Sequence, residues 1–299
     1  MLANSYERKL RADLSVLHFF WIRLVRLYPL YIAGITIGCA AGWLAGVDAI
    51  HTLLYICLAL LFLPSPVPGA GPYPLDGPTW SLFFELVANY VYARLLRLLT
   101  ARVIIFVLLG CALALAVAIY LSADRTIDVG WSKRSFIGGF PRVGFSFFAG
   151  VIMGRYYMAK RSAISLNSWY GPYVPWALLV AIGLILTATP SSRLQPFFDF
   201  AAVTLMFPAV VFTGLWFQPG EIGQRFFKFL GTVSYAIYVL HLPLAKLING
   251  ILMARGGIAV AHCVPWSGAV FLAGLASIGW GLDRAYDRPI RRVLSRLYD

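Results

Sequence analysis

The chain has 299 residues, of which 60% are apolar and only 12% charged, with a net charge of +13. An ordinary soluble domain carries about 25% charged residues, so this composition excludes one and indicates a polytopic membrane protein. A basic excess of this kind is what cytoplasmic loops and contact with anionic lipid produce, and nothing else in the sequence argues for nucleic acid.

Residues 1–17 (MLANSYERKLRADLSVL) are polar and of mixed charge, without the basic-then-apolar pattern of a signal peptide. Residues 1–22 read as a cytoplasmic N-terminal segment, 23–284 as one membrane domain and 285–299 as a basic cytoplasmic tail. Apolar runs near membrane length follow at about 29–46, 50–63, 80–93, 103–121, 143–159, 173–189, 197–217, 231–252 and 265–282. They predict an all-α integral membrane protein, a polytopic helical bundle; a β-barrel would show short alternating strands instead. The third run is short, and PSPVPGAGPYPLDGP at 64–78 before it is too rich in Pro and Gly for regular secondary structure.

Lys and Arg cluster at 8–26, 94–102, 155–161, 225–228 and in the tail. Nine crossings would put some clusters on opposite sides of the membrane. Eight spans plus one re-entrant segment at 80–93 make all of them cytoplasmic, in keeping with the positive-inside rule. Non-helical backbone at membrane depth is tolerated only when buried in protein or lining a cavity, so the Pro/Gly stretch itself marks a candidate site.

Cys39, Cys57, Cys111 and Cys263 are scattered singly, as are His18, His51, His241 and His262, so no metal-ligand spacing is present and none is expected to bind a metal. In RLVRLYP, Arg23 and Arg26 lie one turn apart at the mouth of the first span, where two guanidinium forks suit phosphate and also suit lipid anchoring. In TWSLFFELVANYVY, Ser81, Glu85, Asn89 and Tyr92 fall on one helical face. Glu85 there needs either a proton or a cationic partner, and Trp80 is out of phase with it. Arg142 opens PRVGFSFFAGVIMGR, where it could hold a substrate anion, pair with Glu85 or snorkel; Gly150 and Gly154 have small-xxx-small spacing.

SYAIYVLHLP places Ser234, Tyr238 and His241 at i, i+4 and i+7 of an apolar span, a polar stripe that marks either a functional site or an interhelical tie. AYDRPIRRV at 285–293 reads as a solvated anchor after the last span.

Taken in order, RLVRLYPLY, PLDGPTWSLFFE, RVGFSFFAGVIMG, SYAIYVLHLP and YDRPIRR resemble the acyltransferase 3 family of bacterial integral membrane O-acyltransferases. The resemblance covers nearly the whole chain from about residue 20. It implies transfer of an acyl group, acetyl above all, from acyl-CoA to a hydroxyl of a cell-surface or secreted glycan, in the bacterial cytoplasmic membrane. Arg23 and Arg26 would hold the CoA phosphates, and Glu85 and Arg142 would order the re-entrant segment or orient the acceptor. Trp80 and Ser81 belong to its Trp-Ser-Leu segment, Ser234 and Tyr238 would line the passage, and His241 would serve as a base. The implied partners are the glycan acceptor, the bilayer, a second copy of the chain and surface-polysaccharide biosynthesis proteins.

The family normally begins with two further spans, the first bearing an Arg and a His read as catalytic. Neither is seen before the Arg-x-x-Arg segment, so the resemblance implies a member lacking them, and His18 in LHFFWIR does not take over that role. A transporter, a different membrane acyltransferase built on one intramembrane His, and an inactive homologue are the alternatives. A transporter predicts an internal repeat, and no counterpart of the Glu-bearing segment occurs near 234–243.

Overall fold

A computed structural model describes residues 2–122, 125–161, 169–254 and 265–296, so His262 and Cys263 lie outside the described residues. The elements are helical, with no strand among the described residues: α1 (Leu2–Ala12), α2 (Val16–Leu44), α3 (Ala49–Leu60) and α4 (Thr79–Leu95). After them come α5 (Ala101–Leu121), α6 (Gly139–Lys160), α7 (Val174–Thr187) and α8 (Gln195–Ala201). A π-turn at Ala202–Met206 leads into α9 (Phe207–Gly214), and α10 (Glu221–Ala254) and α11 (Trp266–Leu282) follow. A second π-turn at Asp283–Asp287 leads into α12 (Arg288–Arg296).

Every apolar run expected from the sequence coincides with a helix or a helix joined through a π-turn. Five helical stretches are long and apolar enough to cross a bilayer: Val16–Leu44, Ala101–Leu121, Phe136–Lys160, Gln195–Gly214 and Glu221–Ala254. Three expectations shift. The first span begins at Val16, so Arg23, Arg26 and Pro29 lie inside the helix rather than at its mouth. The N-terminal polar segment is itself largely helical, as α1. The short member of the α3/α4 pair is α3, with 12 residues against 17; at 1.5 Å per residue it reaches about 18 Å, well short of a hydrocarbon core.

The described residues form two compact units, one from the chain up to Phe19 with Val87–Phe227, the other from Phe20–Leu86 with the chain from Lys228 onward. In the first, Tyr92, Leu96, Leu99, Ile104, Phe148 and Val151 form a buried cluster. The Cβ that Gly144 of α6 lacks would sit 3.0 Å from Cys111 Sγ of α5, whereas Gly150, expected at a packing seam, has nothing within 4 Å.

Helix α1 is tied into this unit by its one acid. Glu7 accepts from Arg155 Nε at 3.0 Å, from Arg11 Nη2 at 2.9 Å and from the Tyr92 hydroxyl at 3.2 Å. Burial pushes the Glu7 carboxyl up, but the Arg155 and Arg11 guanidiniums outweigh it and hold the group below the usual carboxylate range. A carboxyl lowered on folding contributes stability above its unfolded pKa and loses it as pH falls through the folded one. Docking of α1 is therefore expected to be intact at neutral pH and to loosen under acid. Glu7→Gln should loosen it at neutral pH as well, read as faster amide exchange in 2–12 and no further change on acidification.

In the second unit the core is Leu27, Leu30, Tyr31, Ile35, Leu82, Leu86, Ala236, Val239, Leu240 and Leu275, with Tyr55, Ala59, Phe62 and Leu75. Asp48 starts α3 by accepting from the backbone N–H groups of Ile50 and His51. Phe62 stops it with φ +56, a conformation rare for a bulky residue. Its ring stacks on Tyr31 at 4.3 Å and its carbonyl accepts from the Tyr73 hydroxyl at 3.0 Å, so the strain is held by tertiary contacts.

Candidate active site

Residues 61–78 carry no helix, as their Pro and Gly content predicts. The end of this segment is laid against two helices of the same unit. On the α10 side, Tyr238, Leu242 and Lys246, spaced i, i+4 and i+8, meet it in reverse order. The Tyr238 hydroxyl donates to the Pro78 carbonyl at 3.1 Å, Leu242 packs against Gly77, and Lys246 Nζ donates to the Pro74 carbonyl at 3.3 Å. On the α2 side, a Cβ on Gly38 would lie 2.1 Å from the Leu75 carbonyl oxygen, and one on Gly34 would lie 3.2 Å from Asp76 Oδ2 and 2.8 Å from Val239 Cγ1. Only glycine permits such close backbone approach. Pro243, having no N–H, also leaves the Val239 carbonyl without its intrahelical donor, and that carbonyl faces Gly34.

Asp76 is 2% exposed and Thr79 1% exposed. With Tyr55, Ser65 and Tyr73 they wall a cavity of about 10 Å3, the size of a single water. Sequence reasoning passed over Asp76 and Lys246. An acid between Leu75 and Gly77 in so apolar a stretch was the available signal for the first.

Arg23 is buried, at 5% exposure, and its Nη2 pairs with Glu85 Oε1. The sequence foresees a cationic partner for Glu85; the partner is Arg23 of α2, which draws that guanidinium away from the surface and joins α2 to the start of α4. Arg26, one turn further, is exposed. Arg142 belongs to the other unit, where its Nη1 donates to the Val129 carbonyl at 3.0 Å and lies 3.8 Å from Asp128 Oδ1.

Ser81 and Tyr238 share a hydrogen bond between their hydroxyls, and Ser81 Oγ also donates to the Pro78 carbonyl at 3.3 Å. Trp80 packs edge-on against Phe84 at 6.1 Å. Ser234, though in phase with Tyr238 and His241, is exposed and donates to the Gly231 carbonyl of its own helix at 3.1 Å. Its neighbour Tyr235 turns inward instead, and its hydroxyl donates to the Leu27 carbonyl at 2.7 Å, tying α10 to α2 beside Arg26.

His241 Nδ1 lies 2.7 Å from the Tyr238 carbonyl and 3.1 Å from the Ile237 carbonyl, both of α10. Carbonyls only accept, so Nδ1 carries the proton and Nε2 keeps its lone pair. These bonds run within one helix, so the interhelical-tie reading of His241 finds no support in them.

The chain's end is not solvated as expected. Asp287 is 0% exposed and pairs with Arg291, and Asp283, 7% exposed, is bonded by Arg288 at 2.6 Å. The acids of AYDRPIRRV and the last turn of α11 are thus buried behind their arginines, while Arg284 covers the Trp280 ring at 3.9 Å.

Membrane-length apolar helices and a broken segment between them, bearing an ion pair, two linked hydroxyls and an imidazole, define a polytopic integral membrane protein with the equipment of an acyl-transfer site. The chain belongs to the acyltransferase 3 family, whose acyltransferase domain matches residues 2–282, and is a membrane acyltransferase. Protein 2 in the picA locus of Rhizobium radiobacter is 35% identical over 135 residues, which cover 40% of this chain and 71% of that protein. No solved structure matches the chain.

Proposed function

We propose that this membrane acyltransferase moves an acetyl group, or another short acyl group, from acyl-CoA to a hydroxyl of a cell-surface or secreted glycan at the bacterial cytoplasmic membrane. The observation that carries the reading is the fixed imidazole of His241, whose Nδ1–H is held by backbone carbonyls so that Nε2 can take a proton. In the proposed reaction the acceptor oxygen gives its proton to Nε2 and bonds to the thioester carbon. The C–S bond then breaks, and the CoA sulfur leaves with the proton that the imidazolium returns. Tyr238, one turn away and held against Ser81 and Pro78, is the hydroxyl on that face that can turn its hydrogen to the developing oxyanion.

Arg26 is the cation of the Arg-x-x-Arg pair left exposed to meet the CoA phosphates, while Arg23 and Glu85 brace the segment. Arg142 sits in the other unit and would orient the acceptor there.

The test is transfer of label from radiolabelled acetyl-CoA to an envelope-glycan fraction by the purified chain in lipid. Hydrolysis without transfer, or no loss of thioester at all, would sink the reading. Within it, Arg26→Ala should raise the acyl-CoA KM by about tenfold or more with a smaller change in kcat, and Arg26→Lys should recover only part, since an ammonium cannot form the same fork. An unchanged KM in the alanine variant would remove Arg26 from the donor site.

A further inference from the structure

The first unit contains a cavity of about 530 Å3 that has no part in the chemistry above. It lies at the end of α5 away from Arg102, between the last turns of that helix and the start of α8. Ile119, Phe197 and Phe200 make its apolar wall, and Tyr120, Arg125 and Arg193 its polar one.

The two guanidiniums are not neutralised by neighbouring acids among the described residues. Asp199 is taken up by the Gln195 amide at 2.6 Å and the Ile127 N–H at 3.3 Å, and Asp128 lies toward Arg142. Arg125 is held over the Tyr120 ring at 5.8 Å by a backbone with φ +48, a conformation seldom adopted by residues other than glycine. Helix α5 is apolar and little buried along its length, so it faces lipid, and the exposed Leu121, Leu194 and Phe197 extend that greasy surface up to the arginines. Apolar below and doubly cationic at the rim, the cavity has the polarity of an amphiphile's binding site.

We propose that it binds an anionic phosphodiester lipid, with the headgroup between Arg125 and Arg193 and the upper acyl chain against Phe197 and Phe200. The test uses the full chain in neutral detergent, offered equal short-chain phosphatidylglycerol and phosphatidylcholine, with bound lipid read by native mass spectrometry. Wild type should retain the anionic lipid over the zwitterionic one by about tenfold or more. The double variant Arg125→Ala/Arg193→Ala should bring that ratio close to one, and Phe197→Ala should weaken both lipids alike. A ratio unchanged in the double variant would overturn the proposal, as would displacement of the lipid by glucuronate, which would make the occupant an acidic sugar. Should the double variant fail to fold, a photoreactive phosphatidylglycerol on wild type decides the matter. Adducts in the 116–125 and 192–200 peptides support the site, and adducts confined elsewhere refute it.

Discussion

Replacing His241 with alanine is expected to lower acyl transfer per folded molecule by about 10²–10⁴-fold, the usual contribution of a positioned general base. Protein yield and thermal midpoint should stay near those of wild type, because the ring's recorded hydrogen bonds go to carbonyls of its own helix and removing them unlinks nothing. His241→Gln sharpens the test. An amide can donate to the Tyr238 carbonyl much as Nδ1 does, but it has no lone pair basic enough to accept a proton, so it should lose as much activity as alanine. Single-turnover transfer from labelled acyl-CoA, normalised to folded protein, is the measurement. Activity equal to wild type in either variant would take His241 out of the chemistry.

The second large effect is expected at Gly38. An alanine Cβ there would lie 2.1 Å from the Leu75 carbonyl oxygen and 2.7 Å from its carbon. Both are backbone atoms, so no side-chain rotation relieves the overlap. Either α2 or the segment before α4 must move, at roughly 1–3 kcal/mol or more for overpacking. Because the segment reaches Tyr238, Leu242 and Lys246 through Pro78, Gly77 and Pro74, its displacement should reduce activity along with thermal stability. Gly150→Ala is the matched control: nothing lies within 4 Å of its would-be Cβ, and a helix gains slightly from the exchange. If both substitutions lowered the melting temperature in detergent equally, the close packing of α2 on the segment would be wrong.

Much of the fold was legible because the bilayer imposes a simple length and polarity rule, which the apolar runs obey one by one. The site was legible in part. Glu85 advertised its need for a cation, but the identity of that cation depends on a contact across 62 positions of sequence, which no local pattern encodes. Helical phase correctly grouped Tyr238 with His241, yet it also drew in Ser234 and missed Tyr235. Phase says which residues share a face and not which neighbouring helix covers that face. The same gap explains the glycines: spacing pointed to Gly150 and Gly154, while the tight approach to Cys111 is at Gly144. Asp287 looked solvated because acids between arginines usually are, and only the packing of the last turns shows it fully enclosed.

The π-turn at Asp283–Asp287 gives that enclosure an unusual vulnerability. A π-turn holds one more residue than the α-helical turn it replaces, so deleting a single residue there would let the helix relax to regular winding while rotating everything beyond it by about 100°. The amino acids of α12 would be unchanged and its charge the same, yet the arginines that now close over the two aspartates would point elsewhere. The end of this chain is therefore more sensitive to counting than to chemistry, and a one-residue deletion there should do harm that a conservative substitution at the same place would not.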